Sequence, residues 1–125
     1  MSVSSCIFTG LTLEFVRELS SADFKKYHEF IERHPELDEY EYEDKEGKLL
    51  LICDGMNGDF CRLVQVDKFV DGGNLGSANE FIELSTPDHV FNPELIEKMS
   101  KLYEEYTGAS ATLQNFKYAM WSMWT

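Results

Sequence analysis

Five consecutive apolar residues, Leu49-Leu50-Leu51-Ile52-Cys53, stand just ahead of Gly55-Met56-Asn57-Gly58. A continuous apolar run suits a central strand covered on both faces better than an edge strand. Asn-Gly is the strongest short hairpin signal, since both residues tolerate the positive φ that a two-residue turn demands. Asp59 to Val66 answers as the partner strand, with Phe60, Val64 and Val66 on one face. These two segments commit the middle of the chain to antiparallel sheet. Upstream, Leu37 to Glu43 alternates acids with Tyr40 and Tyr42 and reads as a first strand, closed by a turn at Asp44-Lys45-Glu46-Gly47. Downstream, Asp71-Gly72-Gly73-Asn74 is a second turn cluster, and Glu80 to Leu84 reads as a fourth strand.

Helical periodicity flanks this β region. Leu11, Phe15 and Leu19 recur at four-residue spacing and predict a short first helix, against the preference of their β-branched neighbours. Ser20 and Ser21 offer N-caps to a second helix, in which Asp23 meets the positive end of the macrodipole. Its apolar face is Phe24, Tyr27, Phe30 and Ile31, and Pro35 stops it near Arg33 or His34. Near the end, Asn92 caps a helix with Pro93 at its first position and Gly108 as its C-terminal stop. Leu95, Met99, Leu102 and Tyr106 mark its buried face. Ser110 is expected to cap a last helix bearing Leu113, Phe116, Met120, Met123 and Trp124. The expected fold is α+β, in the order α-α-β-β-β-β-α-α: an antiparallel four-stranded sheet flanked by N-terminal and C-terminal helix pairs.

The 125 residues show no repeat, low-complexity tract or Pro/Ser-rich linker, so residues 1–125 are expected to form a single acidic domain. The N-terminus lacks a basic region and an apolar run of signal-peptide length, and no stretch approaches the length of a membrane span. Cys6, Cys53 and Cys61 are an odd number at spacings unlike a disulfide framework, which predicts reduced thiols and a cytoplasmic location. Twenty-three acids against eleven bases leave a net charge of −12. That charge argues against direct contact with a phosphate backbone, which requires clustered Lys and Arg.

No catalytic, cofactor or metal pattern is expected from the residues. His28 and His34 are six apart, which on a helix turns them to different faces. Asp54, Asn57 and Asp59 resemble a calcium loop only until the positions for glycine and glutamate are reached, where Asp59 and Gln65 stand. Gly72-Gly73-Asn74-Leu75-Gly76 lacks the lysine of a phosphate loop, and no nucleophile elbow surrounds Ser77. Cys53 and Cys61 lie on facing strands of the expected hairpin and approach each other if the register allows, as inert packing thiols.

Two features stand out instead. Glu36, Asp38, Glu39, Glu41, Glu43, Asp44 and Glu46 fall within eleven residues and are opposed only by Lys45. On a strand, Glu39, Glu41 and Glu43 would share one side about 6.7 Å apart, with Tyr40 and Tyr42 on the other. Such a row is either a charged edge that resists aggregation or a surface for a basic partner. On the expected last helix Tyr118 and Trp121 fall partly outside the arc of Phe116, Met120, Met123 and Trp124, which is either core packing or, with Tyr118, Trp121 and Trp124, a homodimer or partner contact.

By elimination and charge, the expected function is that of a non-enzymatic inhibitor that occludes a basic, nucleic-acid-binding or catalytic surface of a protein partner. Nucleases and nucleic-acid-guided effectors are such partners, and phage anti-defence and toxin-immunity proteins share this acidic profile. Glu36, Asp38, Glu39, Glu41, Glu43, Asp44 and Glu46 would supply the charge, and Tyr40 and Tyr42 the anchors. The alternatives are a small-molecule binder or small enzyme with a pocket near His89, Arg62 or Cys61, and a homo-oligomeric structural protein.

Overall fold

The computed structural model describes residues 5–17, 21–54, 60–72, 81–90 and 92–124. Among the described residues, five antiparallel strands form one sheet: β1 (Ser5–Val16), β2 (Leu49–Asp54), β3 (Phe60–Asp71), β4 (Phe81–Leu84) and β5 (Phe116–Trp124), in the order β2-β3-β1-β5-β4. Two α-helices, α1 (Ser21–Arg33) and α2 (Pro93–Thr107), complete the α+β fold. The sheet thus has one strand more than expected and the helices are two fewer.

Both differences have the same origin. The residues that suggested a first helix also satisfy a two-residue period once Leu13 is included. Leu11, Leu13 and Phe15 all enter the core beneath the helices, while Cys6 and Phe8 enter the core of the opposite face. Thr9, Thr12 and Val16 favour the extended backbone in β1. At the other end, Phe116 is buried toward the helices, whereas Ala119 and Trp121 are buried on the far side. Burial on both faces of β5 removed the polar alternation by which a strand is usually recognised. Residues 110–115 are not helical apart from a 3-10 turn at Leu113–Asn115.

The expected acidic strand is also absent. Pro35–Leu37 and Glu39–Glu41 are 3-10 turns, linked through Asp38, whose Oδ1 accepts from the Tyr40 amide. Asp side chains compete for backbone amides in this way and favour turns over ladders. Asp38 makes a parallel bridge to Leu51, so this segment runs along the outer edge of β2. β2 is therefore an outer strand of the ladder and not a central one. Its apolar run reflects burial on both faces, Leu51 toward the helices and Leu50 and Ile52 away from them.

The expected middle hairpin, the strand before residue 85 and two of the expected helices are found. β2 and β3 pair as an antiparallel hairpin, although Asn57 and Gly58 lie outside the described residues. Gly72 takes a positive φ at the start of the second turn cluster; Gly73, Asn74, Gly76 and Ser77 are outside the described residues, as is Ser20. α2 begins where Asn92 Oδ1 accepts from the Glu94 and Leu95 amides, and stops at Gly108 with φ of 77°. α1 buries Tyr27 and Phe30, but Phe24 is exposed. Among the described residues no helix is long and apolar enough to cross a membrane.

The core under the helices joins Tyr27 and Phe30 of α1 and Met99, Leu102 and Tyr106 of α2 to Leu51, Leu63, Phe15 and Phe116. On the other face, Phe8 stacks on Trp121 with ring centroids 5.5 Å apart, and Arg62 lies 4.0 Å and 3.9 Å from the ring centroids of Phe60 and Phe81. Burial pushes the Arg62 pKa down, opposed by the charge of Glu14. Stacking on aromatic faces favours guanidinium at such a site over ammonium.

Cys53 and Cys61 are directly opposed in the β2–β3 register. Their mutual hydrogen bond, and then burial, push the Cys61 thiol pKa well up. A thiol so shielded has little thiolate to offer an electrophile. Cys61 is therefore expected to react with iodoacetamide at least about a hundredfold more slowly in the folded protein than in the denatured chain, as read by mass spectrometry over time. Equal rates in the two states would contradict this packing.

Candidate functional site

A β-bulge creates one of the two candidate sites. Thr9 of β1 faces Lys68 of β3, and the next residue, Gly10, faces Val66, so Asp67 is left without a partner in β1. Such an extra residue bends the strand and re-aims its side chain. The close approach requires glycine: a Cβ at Gly10 would overlap the Gln65 carbonyl oxygen.

At the bulge, Asp67 meets side chains from two neighbouring elements. Tyr118 of β5 donates its hydroxyl to Asp67 Oδ2 at 2.5 Å. His89, in a 3-10 turn at Asp88–Val90, brings Nε2 to 3.4 Å of the same oxygen. Burial first, then the Asp67 hydrogen bond and charge, push the Tyr118 pKa up to about 12. Asp67 and His89 border a cavity of about 270 Å³, whose wall also includes Gly47, Gln65, Asn92 and Leu95. The cavity lies between the end of the β2–β3 pair and the start of α2.

Of the three residues named for an expected pocket, only His89 is at this cavity. Cys61 is sealed beneath the helices, and Arg62 lies among aromatic rings on the other face of the sheet. The sequence did carry a signal for the bulge, since an isolated glycine within an alternating segment marks a close backbone approach. That signal was hidden while residues 11–19 read as a helix.

The acidic segment is the second candidate. Its polar groups mostly fold it on itself, and Glu46 and the Asp38–Leu51 bridge tie it to the sheet. Lys45 Nζ donates to the carbonyls of Glu39 and Tyr42 at 2.9 Å and 2.8 Å, and the Tyr42 hydroxyl donates to the Glu36 carbonyl at 3.0 Å. Asp44 Oδ1 accepts from the Glu46 amide, and Glu46 Oε1 accepts from the Phe69 amide. Glu39 is buried, at 6% exposure, so the expected one-sided row of Glu39, Glu41 and Glu43 does not form. Tyr42 packs against the core of the far face, whereas Tyr40 is 81% exposed. Glu36, Glu41, Glu43, Asp44 and Glu46 remain exposed.

The expected aromatic contact surface changes character. Tyr118 and Trp121 are buried within the chain, while the Trp124 side chain lies outside what the structure describes. His34 has Nε2 2.5 Å from Glu105 Oε2 and so links the end of α1 to α2. Among the described residues, no three His, Cys, Asp or Glu side chains are grouped to hold a metal ion. No family model, curated protein or solved structure matches the chain.

Tyr118 also makes the fold sensitive to alkali. Its pKa is raised from 10.0, so the folded state favours the neutral phenol. The stability from this preference is complete below about pH 10 and is lost as pH rises toward about 12. Tyr27 and Tyr106, pushed up chiefly by burial, add to the same trend. Denaturant midpoints should thus fall above about pH 10, and Tyr118→Phe should remove part of that fall. An unchanged slope in the variant would contradict the role given to Tyr118. Gly10→Ala is expected to destabilise by about 3 kcal/mol in urea melts, because backbone and not a movable side chain must yield; a loss below about 0.5 kcal/mol would mean that the strands do not approach this closely.

Proposed function

We propose that this protein works by binding, and that its acidic segment docks on a basic surface of a protein partner. One observation carries the reading: residues 36–46 bear seven acids and one lysine, half of the chain's net charge of −12, in eleven residues. Their attachment along the β2 edge supports it further. Charges on a segment held by the Lys45, Tyr42 and Glu46 hydrogen bonds lose little conformational entropy on docking. Clustered charge of one sign steers an oppositely charged partner at long range. Tyr40 is a large, exposed ring in the midst of these acids, the residue type that anchors interfaces.

The partner class is a protein with a basic groove, such as a nuclease or a nucleic-acid-guided effector, and the action is occlusion of that groove. This is an inhibitor or immunity-type role without catalysis. The proposed location is the cytoplasm, where three thiols remain reduced.

Charge reversal tests the reading. Glu36, Glu41 and Glu43 are exposed, so their triple replacement by lysine leaves the core untouched, whereas Glu39 is buried and would test the fold. The wild-type protein is expected to retain partners from extracts of its native host at low salt and to release them at high salt. The triple variant should lose them, and Tyr40→Ala should weaken retention at least about tenfold. Capture of the same proteins by the triple variant, with the same salt dependence, would overturn the proposal.

A further inference from the structure

The cavity at the β3 bulge shares no residue with the acidic segment's exposed surface, and its chemistry is different. Its lining carries Asp67 and His89 but no lysine or arginine. The start of α2 opens beside it, yet the Asn92 side chain already accepts from the Glu94 and Leu95 amides at 2.9 Å and 3.5 Å. Those donors, which would otherwise favour an anion, are occupied. Gln65 Nε2 donates to the Gly47 carbonyl at 3.1 Å, which leaves Gln65 Oε1 as an acceptor. Tyr118 and His89 both approach Asp67 Oδ2, so Oδ1 is the oxygen left for a ligand. The net charge of −12 adds a field that draws cations and repels anions.

The remaining wall is apolar, from Val90 and Leu95. At about 270 Å³ the cavity is smaller than most sites for drug-sized ligands, which span about 300–1,000 Å³. The geometry points to a binding site for a small organic cation, whose primary ammonium group pairs with Asp67 and whose short aliphatic body lies against Val90 and Leu95. Asp67 stands two residues beyond Gln65, on the same cavity-lining side of β3, at the extra residue of the bulge. The Tyr118 hydroxyl holds that carboxylate in one orientation before a ligand arrives. Such preorganisation limits what binding must spend on ordering.

Three probes of matched shape separate charge from bulk: n-butylammonium, n-butanol and butyrate, each titrated into the isotopically labelled full-length protein at neutral pH and followed by amide NMR. n-Butylammonium is expected to shift the amides of Gln65 to Lys68, His89 and Asn92 with a dissociation constant on the order of millimolar, and the other two to leave them unchanged. Asp67→Asn should weaken binding at least about tenfold. Should that variant fail to fold, Leu95→Phe fills the cavity with the carboxylate intact and should weaken binding to the same extent. Equal response to butanol or butyrate, or undiminished n-butylammonium binding in the variant that folds, would overturn the proposal.

Discussion

The structure depends on β1 being hydrogen-bonded along both of its edges. β3 occupies one side and β5 the other, from Ser5 opposite Trp124 to Leu13 opposite Phe116. The Thr12 hydroxyl adds a bond to the Lys117 carbonyl at 2.9 Å. Bringing such distant parts of the chain together is entropically costly, and pairing of this kind slows folding. The cost is offset by what the pairing buries: Phe8 and Trp121 on one face, and Leu11, Leu13 and Phe116 on the other. Without β1 in the middle, β2–β3 and β4–β5 would be separate two-stranded pairs with little core between them.

The same pairing shapes the surface. β1 and β3 are the longest strands, and their ladder cannot continue in register past Gly10. The resulting bulge lies at Asp67, where Tyr118 and His89 converge beside a cavity. At the outer edge of β2, the acidic segment solves a different problem. An uncovered edge invites pairing with another chain, and covering it with acid-rich turns discourages that. A solubilising edge and a docking surface are compatible uses of the same charges, since both need them hydrated until a partner arrives.

How much was legible follows from how local each signal is. α2 was readable to within a residue, because Asn92, Pro93 and Gly108 act on the backbone next to them. The β2–β3 hairpin and β4 were readable for the same reason. β1 and β5 were not, since both of their faces are buried and their apolar residues satisfied more than one period. The acid-rich stretch looked like an alternating strand, yet Pro35 and the Asp38 cap act locally and bend it into turns. For the acidic surface, the composition was visible at once, but the inward position of Glu39 and the outward position of Tyr40 were not.

From the order of residues alone came the charge, the caps and stops of α2 and the antiparallel middle of the chain. All of these arise from groups a few bonds apart. Tertiary structure decided the strand order, the conversion of both terminal segments from expected helix to strand, the Gly10 bulge and the meeting of Asp67, Tyr118 and His89. Each of these depends on which distant segment lies alongside, and a strand acquires its register only when its partner is present.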